Sequence, residues 1–190
     1  MRLCCACVSV MFLAYGCDVE SLLPDGSGSR ATARPGGSEA ARLTGITDAH
    51  NQIRSQVSAS PALPDLAWSQ ELADVAQSYA EKIAGSCELV HSKGPYGENL
   101  ALFGGSAASS SEVVDLWASE KSCYTYGPFE KGDSCATACD RSGGCGHYTQ
   151  LVWRDTQVVG CGVAACADGR SEIWVCNYDP PGNFIGEAPY

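Results

Sequence analysis

Positive charge is scarce in this chain of 190 residues: 12 Lys and Arg stand against 22 Asp and Glu, a formal net charge of −10. A surface this acidic does not hold nucleic acid or anionic lipid headgroups by charge, since both are polyanions. Long apolar runs are missing as well. The longest, Leu3 to Tyr15, has 13 residues, too few to span a bilayer. There is no internal repeat and no strand–helix–strand alternation, which argues against a parallel nucleotide-binding sheet. The Gly104–Ser111 stretch is rich in Gly and Ser but has no Lys and no strand–loop–helix setting, so it is no phosphate cradle. No nucleophile-elbow motif occurs. Histidine is limited to His50, His91 and His147.

Cysteine, by contrast, is abundant. Twelve cysteines point to an oxidising compartment, because no pair of Cys-x-x-Cys motifs offers a metal-ligand spacing instead. Hydrophobic residues make up 45% of the chain, so most of it can build a core.

Residues 1–16 read as an export signal, with Arg2 before an apolar stretch. Leu13-Ala-Tyr-Gly-Cys17 resembles a bacterial lipobox, in which cleavage precedes a cysteine that is then acylated; an ordinary signal peptide cut near the same place is the alternative. Parity agrees with lipidation of Cys17. Removing residues 1–16 leaves nine cysteines, and a lipidated Cys17 leaves eight for four disulfides. Residues 17–43, rich in Gly, Ser, Ala and Pro, read as a flexible tether reaching about 28 Å as a random coil. The globular domain then spans residues 44–190.

Helical spacing predicts a first helix over Thr44–Val57 and a second carrying Trp68, Leu72, Val75, Ala76, Tyr79 and Ile83, with Ser69 as N-cap. A third is expected over Ser110–Lys121, with Val113, Leu116, Trp117 and Glu120 on one face. Two β-rich runs, Val158–Cys166 and Glu172–Tyr178, flank Asp168-Gly169, a strong hairpin signal. With those two as the turn residues, paired positions sum to about 337. Cys161 then faces Cys176 at a separation that suits a disulfide. Helices first and strands last imply an α+β fold with an antiparallel sheet.

Four segments carry a resemblance: His50-Asn-x-x-Arg54, His91-Ser-x-Gly-Pro-Tyr-Gly-Glu-Asn-Leu-Ala, Gly146-His-Tyr-Thr-Gln-Leu-Val-Trp and Cys176-Asn-Tyr-Asp-Pro-Pro-Gly-Asn183. In that order they resemble the CAP superfamily of cysteine-rich secretory proteins, antigen-5 allergens and plant class-one pathogenesis-related proteins. The ending Gly182-Asn-Phe-Ile-Gly-Glu-Ala-Pro-Tyr190 looks most like the plant group. The resemblance implies a disulfide-stapled α-β-α sandwich, with a small antiparallel sheet between helical layers. It implies a cleft tetrad of His91, Glu98, Glu120 and His147, with His50 structural. It also implies the disulfides Cys87–Cys166, Cys139–Cys145 and Cys161–Cys176. Cys123 and Cys135 depart from the plant pattern and pair by elimination, which contributes roughly 2–3 kcal/mol on the loop-entropy account.

Two neutral imidazoles, His91 and His147, can ligate Zn²⁺ while carboxylates orient them. The same four groups also suit acid/base chemistry or a purely structural polar cluster. The leading expectation is a secreted or surface-anchored binding module. Its ligand would be a lipid, sterol, peptide or protein, it would bind no nucleic acid, and it would attach to a membrane if Cys17 is acylated. A metal-dependent hydrolase or peptidase is the alternative; without an activated nucleophile it would need a metal-bound water. A scaffold role at the cell surface is the third.

Overall fold

The computed structural model describes residues 32–105, 107–130 and 144–190. The export signal, Cys17, Cys135 and Cys139 lie outside the described residues. The first helix, α1 (Ile46–Ser55), is capped from upstream: the Glu39 carboxylate accepts from Gly45 N–H at 2.6 Å and Thr47 N–H at 2.9 Å. The His50-Asn51-x-x-Arg54 motif lies on this helix, and each residue ties it to another part of the fold. Asn51 exchanges two hydrogen bonds with the backbone of Leu66. Arg54, fully buried, donates to the carbonyls of Pro64, Leu151 and Trp153.

The second helix, α2 (Gln70–Ile83), starts at Ser69, whose hydroxyl accepts from Leu72 N–H. Trp68, expected inside this helix, belongs instead to a two-residue strand, β1 (Ala67–Trp68). The third helix, α3 (Ser110–Ala118), opens with a capping box between Ser109 and Glu112. It ends three residues earlier than its apolar pattern implies and tightens into a 3₁₀ turn over Ser119–Ser122. That turn leaves Glu120 only 6% exposed, whereas Leu116, expected on the same face, is 42% exposed. Leu116 lies within the regular helix, beside the buried stripe of Val113, Val114 and Trp117, whereas Glu120 is placed by the 3₁₀ turn, which advances three residues per turn rather than 3.6.

The sheet order is β1-β3-β4-β2, with β2 at Gly97–Gly104, β3 at Val158–Ala165 and β4 at Ser171–Asp179. The three long strands are antiparallel, and β1 adds a short parallel edge to β3. Neither β1 nor β2 was expected from the sequence. The apolar part of β2, Leu100–Phe103, is too short and too continuous to show alternation. The β3–β4 hairpin has the expected register, with Cys161 opposite Cys176. Its turn is longer than a two-residue loop: Cys166 N–H donates to Ser171 O, and Gly169 alone takes a positive φ, 66°. The Asp168 carboxylate holds it by accepting from the backbone of Arg170 and Ser171.

Alternation along the strands divides the core between the two faces of the sheet. Ile173 and Val175 pack with Ala76, Ala80 and Ile83 of α2. Trp174, Cys176 and Tyr178 face the opposite way, toward Ile46 of α1, Val113, Val114 and Trp117 of α3, and α4 (Gly146–Leu151). The result is the expected α-β-α sandwich. Glycine sets how close α2 lies to the sheet. A Cβ on Gly160 or Gly162 would come within 2.3 or 2.4 Å of the α2 backbone.

Two disulfides close this frame: Cys87–Cys166 with Cα atoms 5.5 Å apart, and Cys161–Cys176 at 4.1 Å. Cys123 and Cys145 are also disulfide-bonded. The expected pairs Cys123–Cys135 and Cys139–Cys145 each involve a cysteine outside the described residues. One boundary needs correction. Residues 32–43, assigned to the tether by composition, are docked on the domain, which runs from Thr32 to Tyr190. Ala33 is buried and its N–H donates to Asp179, while Gly36 pairs with the backbone of Trp68 and Gln70.

Candidate functional site

β2 is an edge strand, and the four expected cleft residues gather around it from both faces of the sheet. Glu98 shares its side of the strand with Leu100, the side covered by α2. His91 arrives on the loop after α2, and its Nδ1 lies 2.7 Å from Glu98 Oε1. The same oxygen accepts from Ser92 N–H at 2.9 Å. From the other face, α4 presents His147, whose Nδ1 lies 2.6 Å from Glu120 Oε1. The second oxygen of Glu120 accepts from Tyr148 N–H at 3.0 Å, so the carboxylate fixes both the imidazole and the start of the helix that carries it.

The pairs His91–Glu98 and His147–Glu120 are thus two copies of one device. A carboxylate engages Nδ1 and leaves Nε2 for something else. Where Nδ1 carries the proton, Nε2 is an acceptor or a metal ligand. His91, Glu98 and His147 line one cleft of about 210 Å³ with Asn99, Phe129 and Asn183. Glu120 stands behind His147, at a neighbouring apolar groove of about 200 Å³ formed with Leu89, Leu102 and Leu116. The sequence-predicted tetrad is therefore brought together, but three members face the cleft and the fourth supports one of them.

The two pairs differ in exposure. The imidazole of His91 is largely exposed, while its partner Glu98 is almost covered. Hydrogen bonding to Glu98 raises the pKa of His91 above its usual value, against the opposing effect of burial. For Glu98, burial works against ionisation, but hydrogen bonds from His91 and Ser92 outweigh it and hold the carboxyl below its ordinary range.

Several positioning residues carry no signal in spacing or composition. The indole of Trp117 stacks on His147 at 6.3 Å between ring centroids and donates from Nε1 to Leu100 O. Asn99 donates to His147 O and to the Tyr178 hydroxyl. Asn183 bridges Thr149 and Gly146 O of α4. Asn99, Tyr178 and Asn183 all lie within recognisable motifs, but only the fold shows what each one touches.

Tyr178 in turn meets His50, confirming that the latter is structural. His50 is fully buried, 2.7 Å from Ile46 O through Nδ1 and 2.9 Å from Tyr178 Oη through Nε2. Carbonyl acceptance at Nδ1 fixes the tautomer and makes Nε2 the acceptor. Burial pushes the His50 pKa down to about 4.

His91 and His147 are the two cleft side chains whose Nε2 atoms are left open by their carboxylate partners. Two imidazoles with carboxylate-fixed Nδ1 atoms are the familiar arrangement of ligand and supporting acid. Among the described residues no group of three or more His, Cys, Asp or Glu side chains is placed to hold a metal ion, so this is no closed structural site. Neither imidazole is hydrogen-bonded to a hydroxyl or thiol among the described residues. The Ser92 hydroxyl accepts from Gly94 N–H instead.

A three-layer sandwich whose edge strand is flanked by two His–carboxylate pairs defines a CAP-type domain. Comparison of sequences and structures agrees. Residues 47–178 match the CAP family, described as the cysteine-rich secretory protein family. The chain is 45% identical over 143 residues to pathogenesis-related protein 1 of Arabidopsis thaliana, covering 75% of this chain and 79% of that protein. It is 44% identical over 143 residues to pathogenesis-related protein 1C of Nicotiana tabacum, covering 75% and 77%. Among solved structures, BmVAL-1 matches with a TM-score of 0.62 at 27% identity, over 82% of this chain and 85% of that one. This chain belongs to the cysteine-rich secretory protein family, and its disulfides fit an oxidising, extracellular compartment.

Proposed function

We propose that this chain is an extracellular binding module in which His91 and His147 hold Zn²⁺ weakly through Nε2. Glu98 and Glu120 orient the two imidazoles, and the ligand sits over the cleft. The observation that carries this reading is the duplicated pair: each Nδ1 is within 2.7 Å of its own carboxylate. The apolar groove of Leu89, Leu102 and Leu116 shares His147 with the cleft, which favours a ligand with a polar head and an apolar body, such as a lipid or sterol, over a peptide. Among the described residues no hydroxyl or thiol is bonded to either imidazole, so turnover at this site would have to use a metal-bound water.

Calorimetry with zinc chloride near neutral pH tests the metal. Wild-type protein should give saturable heat, and the double variant His91→Ala, His147→Ala should give none while keeping its near-UV circular dichroism. Heat that persists in the double variant, or no heat in the wild type, overturns the assignment. Mass spectrometry of organic extracts of protein purified from native source tests the apolar ligand. A Leu102→Asp variant, changed at an exposed position of the groove, should lose the co-purifying species.

A further inference from the structure

We propose that the turn carrying Phe184 and Ile185 docks on a lipid bilayer, and that the surface it takes is zwitterionic. Phe184 is 47% exposed and Ile185 69%, side by side at the tip of the turn. Single exposed apolar residues are ordinary, but grouped ones mark a contact surface. The group here is wider than two. Tyr126, 56% exposed, and the exposed Pro128 lie on the segment beside the turn. Phe129 N–H donates to Glu187 O at 2.7 Å and Gly186 N–H to Phe129 O at 2.8 Å, which joins the two segments.

The fold builds this tip deliberately. Asn183 and Gly186 bracket the pair at φ 62° and 86°, a left-handed conformation that both residue types accept and that turns the chain on either side of Phe184-Ile185. Asn183 is tied to α4: it donates to Gly146 O and accepts from the Thr149 hydroxyl. Gly182 passes so close to Trp153 that a Cβ would come within 2.7 Å of the indole.

Charge and chain position select the partner. Across residues 124–130 and 183–190 the charged side chains are Glu130 and Glu187, with no Lys or Arg. An anionic headgroup layer is repelled by these two and by the net charge of −10; a zwitterionic layer is not. Tyrosine beside aliphatic residues is the mixture that settles at a membrane–water interface. The chain also enters the domain at this end, since Ala33 N–H donates to Asp179, five residues before Phe184. An acyl anchor at Cys17, expected from its lipobox-like sequence, would lead into the domain from the end that carries the tip. Asn183 and Phe129 also line the cleft, so a docked tip sets the cleft beside the membrane.

The test uses the full chain with disulfides formed and with Cys17→Ser, so that acylation does not mask the tip. It is sedimented with phosphatidylcholine vesicles at millimolar lipid. Expected are co-sedimentation of this chain, at least tenfold weaker binding when Ile185→Asp is added, and weaker binding when phosphatidylserine replaces part of the phosphatidylcholine. Ile185 is the most exposed residue of the tip, so Ile185→Asp should keep the near-UV circular dichroism and the zinc heat of the parent, which separates the tip from the fold and from the cleft. Phe184→Asp provides a second variant with the same expected loss. A chain that stays in solution with phosphatidylcholine, which would leave the tip to a protein partner, overturns the proposal. So does binding that appears only with phosphatidylserine, or undiminished binding by Ile185→Asp.

Discussion

Acid should destabilise this protein through a single buried imidazole, over a pH range in which the contribution of His91 stays constant. His50 has a pKa of about 4 in the folded state because burial disfavours its charged form, against 6.5 for the free side chain. Between those values the unfolded chain binds a proton that the native state does not, so stability falls as pH falls. The displacement of 2.5 pH units corresponds to about 2 kcal/mol lost at pH 5 and about 3 kcal/mol at pH 4, relative to neutral pH. For a domain with an overall stability of about 5–15 kcal/mol, that is a large share. The other shifted groups act elsewhere. His91, with a raised pKa, contributes stability below pH 6.5 that is lost as pH rises through its folded value. Glu98, with a lowered pKa, contributes stability above 4.5 that is lost as pH falls through its folded value. Urea denaturation with disulfides intact, followed by tryptophan fluorescence at half-unit steps from pH 7 to 4.5, isolates the His50 contribution. His50→Gln should be less stable at pH 7 but should lose most of the pH slope. An equal slope in wild type and variant would refute the assignment of the acid sensitivity to His50.

Gly162→Ala should lower stability by about 1–3 kcal/mol or prevent folding, because its Cβ would meet the α2 backbone at 2.4 Å and backbone cannot swing aside as a side chain can; chemical denaturation measures it, and a loss under 0.5 kcal/mol would mean that α2 moves freely on the sheet. If Cys17 is acylated, Cys17→Ser should move the protein from the membrane fraction to the soluble fraction, and wild-type protein found soluble with an unmodified N-terminus would exclude the anchor.

How much of this was legible in the sequence depends on the range of the interaction. The α2 helix, its Ser69 cap and the Cys161–Cys176 register follow from local periodicity and from strands that pair across a short turn, where few alternatives exist. The tetrad was legible through motifs: His91, Glu98, Glu120 and His147 span 57 positions of chain, and no spacing rule joins them. Their convergence is decided by an edge strand that takes Glu98 on one face and borders α4 on the other. The division of labour, with Glu120 behind His147 rather than in the cleft, comes from a 3₁₀ turn that helical periodicity does not foresee. The docking of residues 32–43 was equally silent. A small-residue segment is a linker or a docked segment according to the surface beside it. The sequence by itself determined the local elements and the chemistry available to them. Tertiary structure decided which groups meet, because contacts between distant residues depend on how layers pack, and packing is a property of the whole chain.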